Sequence, residues 1–287
     1  MNPEQSLESA DGAYGSIDEN ACLRLAFEDR DFLASEELRA VRLQLEFMKP
    51  ERALRQEGIA STIVVFGSAR LLPEDAARAR CANLERRMHE DPDNTLLAAE
   101  LVRARRQLVY ARYYEEAHRF AALVSARFQR EGRLDLVVCT GGGPGAMEAA
   151  NRGAHQTGLR SIGFNIALPR EQQPNTYVTP ALCFRFHYFA LRKLHFLLRA
   201  RALVAFPGGY GTFDEVFEVL TLVQTGKSRR LPIVLVGAEF WRRAIDFAFL
   251  EAEGMISAED VKLITIVETA EDALAAVCDF YGGRAPE

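Results

Sequence analysis

From Ser61 onward, short apolar runs rich in β-branched residues alternate with helical stretches, and this alternation limits the fold more than any other feature of the chain. Runs that stay apolar at successive positions read as strands buried on both faces, as in a parallel sheet. STIVVFGSAR (61–70) leads into Gly67, and LDLVVC (134–139), RSIGFNI (160–166), ALCFRF (181–186), RALVAF (201–206), PIVLVG (232–237) and ITIVE (264–268) follow. Helices are predicted from Ala146 to about Gln156, over about 187–199, from Thr212 to about Gln224, from Glu239 and from Ala270. The implied fold is α/β: a Rossmann-like, doubly wound parallel sheet covered by helices on both faces.

Two regions depart from that rhythm. Residues 1–18 are polar and rich in Gly, Ser, Asp and Glu, the composition of a disordered segment. Over about 19–57 the pattern becomes helical, with Leu38, Val41, Leu45 and Met48 at three- and four-residue steps, Glu36 and Glu37 near its start and Lys49 near its end. Pro50 is expected to break or kink that helix. Residues 73–132 are helical and charged, with a break at DPDN (91–94). The expected organisation is an N-terminal extension over 1–60 and a Rossmann-like domain over 61–287, with a helical insertion at about 73–130.

Composition excludes several classes of function. A net charge of −5 gives no global basic field for nucleic acid or anionic membrane. No apolar run approaches the roughly 20 residues that cross a bilayer, and the polar N-terminus has no signal-peptide core. Cys22, Cys81, Cys139, Cys183 and Cys278 show no metal-ligand or disulfide spacing and read as reduced, core cysteines. The histidines form no HExxH pattern, and His187 and His195 read as packing or surface residues. A cytoplasmic protein without a metal is expected.

Open parallel sheets bind ligands beyond the carboxyl ends of their strands. Two glycine-rich turns fall there, Thr140–Gly145 (TGGGPG) and Pro207–Thr212 (PGGYGT), each following a strand and opening a helix. Such turns offer backbone N–H groups and the positive end of a helix to an anion such as a phosphate. Two such turns on one sheet edge are harder to explain as mere chain reversals than one. Gly141, Gly143 and Ala146 match G-x-G-x-x-[GA], but Phe164, Asn165 and Ile166 occupy the place of the acidic residue that holds a dinucleotide ribose, which disfavours a nicotinamide cofactor. Thr225–Ser228 resembles the end of a phosphate-binding P-loop, yet Thr221 stands where its first glycine belongs and a helix precedes it.

Glu215 carries two readings. Thr212 and Glu215 have the spacing of a reciprocal helix cap, and a carboxylate beside an anion-binding turn is also placed to face a sugar. Arg192, flanked at four-residue steps by Tyr188 and Phe196, is either a surface arginine with an apolar stem or a site residue. Glu148, after the first glycine turn, shares the ambiguity of Glu215, and Arg70 either reaches a phosphate or faces solvent.

TGGGPGAMEAANRGA (140–154), the Arg192–Lys193 pair and PGGYGTFDEVFEVLT (207–221), in that order, closely resemble the LOG family, long labelled lysine decarboxylases for their PGGxGTxxE motif. The resemblance runs from about Ser61 to Val267, and the ends of the chain look like the longer bacterial type. It implies a Rossmann-like homodimer or larger homo-oligomer that needs no cofactor. It further implies hydrolysis of the N-glycosidic bond of cytokinin riboside 5′-monophosphates or AMP. Arg192 and Glu215 match the family's catalytic pair, and Gly208, Gly209, Gly211 and Thr212 its phosphate turn. Glu148 matches a glutamate implicated in holding the ribose; Ser68, Arg70, Gly142, Gly143 and Lys193 complete the expected substrate contacts. The chain differs from short plant-type members in about 60 extra N-terminal residues, the insertion, and Phe196 in place of methionine after the arginine–lysine pair. The alternatives are a non-catalytic nucleotide- or cofactor-binding module like the molybdenum-cofactor carriers, and a decarboxylase whose pyridoxal phosphate would need Lys193 or Lys227.

Overall fold

The computed structural model describes residues 21–130, 132–168 and 173–284. The segment expected to be disordered, 1–18, lies outside them. The described residues fall into two compact units, which part between Glu46 and Phe47.

In the N-terminal unit, a 3₁₀ turn at Ala21–Leu23 precedes helix α1 (Arg30–Ala34) and a second 3₁₀ turn at Glu36–Leu38. Asp29 caps α1 by accepting from the N–H groups of Asp31 and Phe32, which have no partner inside the helix. Helix α2 (Arg39–Gln56) continues through Pro50 instead of breaking there. Proline deletes one N–H bond, but Pro50 and Leu54, in the part of α2 that belongs to the larger unit, are buried, and that burial offsets the loss.

The larger unit is built on a seven-stranded, wholly parallel sheet. In chain order it contains strand β1 (Thr62–Phe66), helices α3 (Glu74–Glu90), α4 (Thr95–Tyr110) and α5 (Arg112–Phe128), and a short antiparallel ribbon of β2 (Gln129–Arg130) and β3 (Arg133–Leu134). There follow β4 (Val137–Thr140), α6 (Ala146–Gln156), β5 (Ser161–Ile166), β6 (Cys183–Phe186), α7 (Phe189–Leu198), β7 (Ala200–Ala205) and α8 (Tyr210–Gln224). The chain then forms β8 (Ile233–Val236), α9 (Ala238–Ala244), α10 (Phe247–Ala252), α11 (Ala258–Val261), β9 (Ile264–Val267) and α12 (Ala270–Phe280). Strand order across the sheet is β6-β5-β4-β1-β7-β8-β9, and the doubly wound architecture expected from sequence is present.

Two-residue periodicity explains the layers. Ile63, Val65, Val138, Ala202 and Val204 face one core, shared with α5, α6 and α12; Val64, Phe66, Cys139, Leu203 and Ala205 face the other, with α2, α7, α8 and α9. Helices α3 and α4 stand largely apart from these layers, with Tyr110 at the end of α4 packed against the first of them. They form a hairpin around a small core of Cys81, Leu84, Leu97, Leu101 and Ala104, and Asn94 caps α4 at the break expected at 91–94. The inserted part is this hairpin, because Tyr114, Phe120 and Val124 of α5 lie in the main core. Cys81 and Cys139 are buried, Cys183 and Cys278 partly so, while Cys22 is exposed and no core cysteine. Among the described residues, no helix is long and apolar enough to cross a membrane, and no cluster of three or more His, Cys, Asp and Glu is arranged to hold a metal.

Candidate active site

Topology decides where a ligand fits. From β1 the chain moves through β4, β5 and β6 on one side, then returns at β7 and continues outward through β8 and β9. The direction of winding reverses between β1 and β7, and the crevice beyond their carboxyl ends is the natural ligand site of such a sheet. A cavity of about 890 Å³ opens there. Its floor is the loop after β1, including Ser68 and Arg70, and the turn Pro207–Thr212. Met147, Phe189, Arg192 and Glu215 form one part of its wall, and Arg106, Gln107, Tyr110 and Phe240 another.

The second glycine turn is shaped by close packing. A Cβ on Gly208 would lie 2.1 Å from Thr212 Oγ1, so only glycine lets the turn close over that side chain. Helix α8 begins at Tyr210, earlier than the expected Thr212, with Gly209 as N-cap and no side-chain cap. Thr212 and Glu215 therefore do not form the reciprocal cap that their spacing suggested: Glu215 is already in the second turn of the helix. The N–H groups of Tyr210 and Gly211 have no protein acceptor among the described residues. They remain available to an anion.

Glu215 is 5% exposed, and its carboxylate has no hydrogen-bonding partner among the described residues. Burial pushes its pKa up to about 7; Lys193 and Arg192 oppose that rise, while Glu218 and Asp214 add to it. A carboxyl poised near neutrality suits proton transfer. Arg192 reaches the cavity from α7. Its Nε donates to the carbonyl of Phe164 at 2.7 Å, and its guanidinium lies 5.2 Å from the centre of the Phe196 ring. Burial lowers its pKa and Glu215 opposes this, but a guanidinium stays charged. Arg192 and Glu215 thus face one cavity without a salt bridge joining them, leaving both free to act on a bound molecule.

The first glycine turn has a different task. A Cβ on Gly141 would meet Arg192 Nη2 at 2.6 Å and Met147 Sδ at 2.8 Å, so this glycine makes room for the arginine. The carbonyls of Gly142 and Gly143 accept from the backbone and side chain of Asn175, and the Gly142 N–H donates to Thr140 Oγ1. Beneath them Asn151 accepts from Thr140 and Asn175 and donates to Ser161, a buried network that fixes the turn.

The structure therefore brings Arg192, Glu215, Gly208, Gly209, Gly211, Thr212, Ser68 and Arg70 to one cavity, but not Gly142, Gly143, Glu148 or Lys193. Glu148 accepts from the Tyr114 hydroxyl at 2.9 Å, facing α5. Lys193 is paired with Asp214 at 2.9 Å and Glu218 at 3.1 Å, so its charge acts on Glu215 from outside the cavity. Sequence reasoning passed over Arg106, Gln107, Tyr110 and Phe240. The first three recur at three- and four-residue steps on α4, a readable stripe that gives no hint of what it faces.

Fold and site together define an α/β protein whose crevice, at the reversal of winding, combines open amides, an arginine and a near-neutral carboxyl. Residues 147–277 match the family model described as possible lysine decarboxylase. The cytokinin riboside 5′-monophosphate phosphoribohydrolase LOG7 of Arabidopsis thaliana is 30% identical over 147 residues, 50% of this chain and 65% of its own length. A probable enzyme of the same description from Oryza sativa subsp. japonica, LOGL5, is 30% identical over 52% of this chain and 61% of its own. The pyrimidine/purine nucleotide 5′-monophosphate nucleosidase of Escherichia coli is 30% identical over 40% of this chain and 28% of its own. The alignments thus span under two thirds of these relatives. Among solved structures, the molybdenum cofactor carrier protein of Chlamydomonas reinhardtii aligns over 77% of this chain and 99% of its own with a TM-score of 0.44 and 18% identity. The resemblance to the LOG family is borne out by the family model and these sequence relatives.

Proposed function

We propose that this protein hydrolyses the N-glycosidic bond of nucleoside 5′-monophosphates, releasing free base and ribose 5-phosphate. The observation that carries the reading is Glu215: a buried carboxyl, pushed up to about 7 and unpartnered, in one cavity with Arg192 and the amides of α8. Those amides hold the 5′-phosphate and thereby fix the sugar against the carboxylate. As the C1′–N bond breaks, its electron pair leaves with the base and positive charge develops on the ribose. Ionised Glu215 stabilises that charge and takes a proton from the attacking water, whose oxygen joins C1′. The proton that Glu215 takes from the water ends on the departing base nitrogen, so atoms and charge balance and the carboxylate is regenerated. Arg192 offsets the negative charge gathered in the site and orients the substrate.

The finer reading takes its substrate from the relatives: a cytokinin riboside 5′-monophosphate, AMP, or both. It places the reaction in the cytoplasm, in a homodimer or larger assembly, without a cofactor. The test is chromatography of a panel of nucleoside 5′-monophosphates incubated with wild type and with Glu215→Gln. Base and ribose 5-phosphate are expected from wild type alone. Nucleotide binding with no base release from any member of the panel overturns the hydrolase reading in favour of a carrier-like binding module.

A further inference from the structure

The α3–α4 hairpin lies outside the sheet layers, yet it supplies Arg106, Gln107 and Tyr110 to the cavity. Gln107 Nε2 donates to the backbone carbonyl of Arg70 at 3.4 Å, which ties α4 to the loop after β1. Arg70 and Arg106 therefore enter the cavity from adjoining stretches of backbone, and both are exposed. Neither has a carboxylate partner among the described residues. The residues one turn from Arg106 on α4 are Val102, Arg103, Val109 and Tyr110, none of them acidic. Arg106 also lies outside the last turn of α4, where the helix dipole would account for a cation. Two guanidiniums without a carboxylate partner beside one cavity offer an anion two charge-assisted contacts. The same cavity holds the uncapped N-terminus of α8.

We infer that Arg106 and Arg70 form the second half of a phosphate clamp, facing the α8 amides across the cavity, and that the inserted hairpin thereby selects phosphorylated over unphosphorylated nucleosides. The inference rests on the phosphoribohydrolase reading for its ligand. A guanidinium gripping a phosphate makes charge-assisted bonds, whereas the ribose and base gain nothing from it. Arg106 is then a binding residue that acts on the substrate's phosphate and not on the bond being broken.

The experiment compares wild type, Arg106→Ala and Arg106→Lys by calorimetric binding of ribose 5-phosphate and by turnover of AMP against adenosine. Arg106→Ala is expected to weaken ribose 5-phosphate binding about tenfold or more and to raise KM for AMP in proportion. Its kcat for AMP and its handling of adenosine stay within about twofold, and lysine restores part of the affinity. Higher salt should weaken ribose 5-phosphate binding more steeply in wild type than in Arg106→Ala. Ribose 5-phosphate binding within twofold of wild type overturns the clamp, as does an equal loss with AMP and adenosine, which marks a structural effect. If wild type binds ribose 5-phosphate through Arg106 but releases no base from any nucleotide, the clamp stands and the hydrolase reading falls. Normal base release that ignores Arg106 has the opposite meaning. Because Arg106 is exposed, an unchanged circular dichroism melt is expected for both variants.

Discussion

The two glycine turns have nearly the same sequence grammar, a buried strand, a run of glycines and a helix, but they do different work. Pro207–Thr212 follows β7, at the reversal of winding, and its helix opens into the cavity without a side-chain cap. Thr140–Gly145 follows β4, one strand beyond β1, and its carbonyls are bound by Asn175 while Gly141 accommodates Arg192. A glycine-rich turn therefore marks where the backbone reverses closely. Its position relative to the switch point decides whether it opens onto the cavity or supports a residue that lines it.

Removing the two side chains that the proposed reaction uses gives the largest expected effect. Glu215→Gln and Arg192→Ala should each lower kcat by about two to four orders of magnitude, with ribose 5-phosphate still bound in calorimetry. Near-normal turnover in either variant breaks the assignment.

Next in size are the substitutions that separate the turns. Gly208→Ala forces a Cβ into Thr212 and, if the turn binds phosphate as proposed, should raise KM by about tenfold or more. Gly141→Ala displaces Arg192 and should fall mainly on kcat, by roughly ten- to a hundredfold, since small misplacements of catalytic groups are costly. Steady-state kinetics on the pair breaks the comparison if both variants change the same parameter.

The network beneath the first turn should show in stability more than in kinetics. Asn151→Ala leaves Thr140, Asn175 and Ser161 short of a partner and should cost about 1–3 kcal/mol in denaturant unfolding. A loss below a few tenths would mean that the first turn is held by its backbone alone.

The pH dependence gives the finest distinction. The proposed reaction needs ionised Glu215, so kcat/KM should rise with pH through about 7 and then level. Lys193→Gln removes a cation that holds this pKa down, so the midpoint should move upward. Stability runs the other way. A carboxyl whose folded pKa is raised binds protons more tightly when folded, so stability falls as pH climbs from the unfolded value of 4.5 to about 7. Glu215→Gln should remove that part of the slope, and an unchanged slope would assign it to other groups.

Much of this was legible beforehand. The β-branched runs predicted the parallel sheet because central strands are apolar on both faces, and the resemblance pointed to Arg192 and Glu215. The expected positions that lie outside the cavity share a cause. Glu148, Gly142 and Gly143 sit beside a turn of the right composition, but their polar groups are used by Tyr114, Asn175 and Thr140. Arg106 and Tyr110 lie far from every motif in the chain, on a helix whose pattern reads as ordinary insertion.

What the sequence by itself determined was local and periodic: strands of alternating facing, turns that only glycine allows, and helices opening after them. Tertiary structure alone decided the rest, because crossovers set which loops share a crevice and burial sets which charges remain unpaired. The same carboxylate that could have capped its own helix is carried, by an N-cap at Gly209 instead of Thr212, into a buried part of the cavity wall where its proton affinity rises. No pattern along the chain contains that desolvation, since it comes from the residues that the fold brings around it.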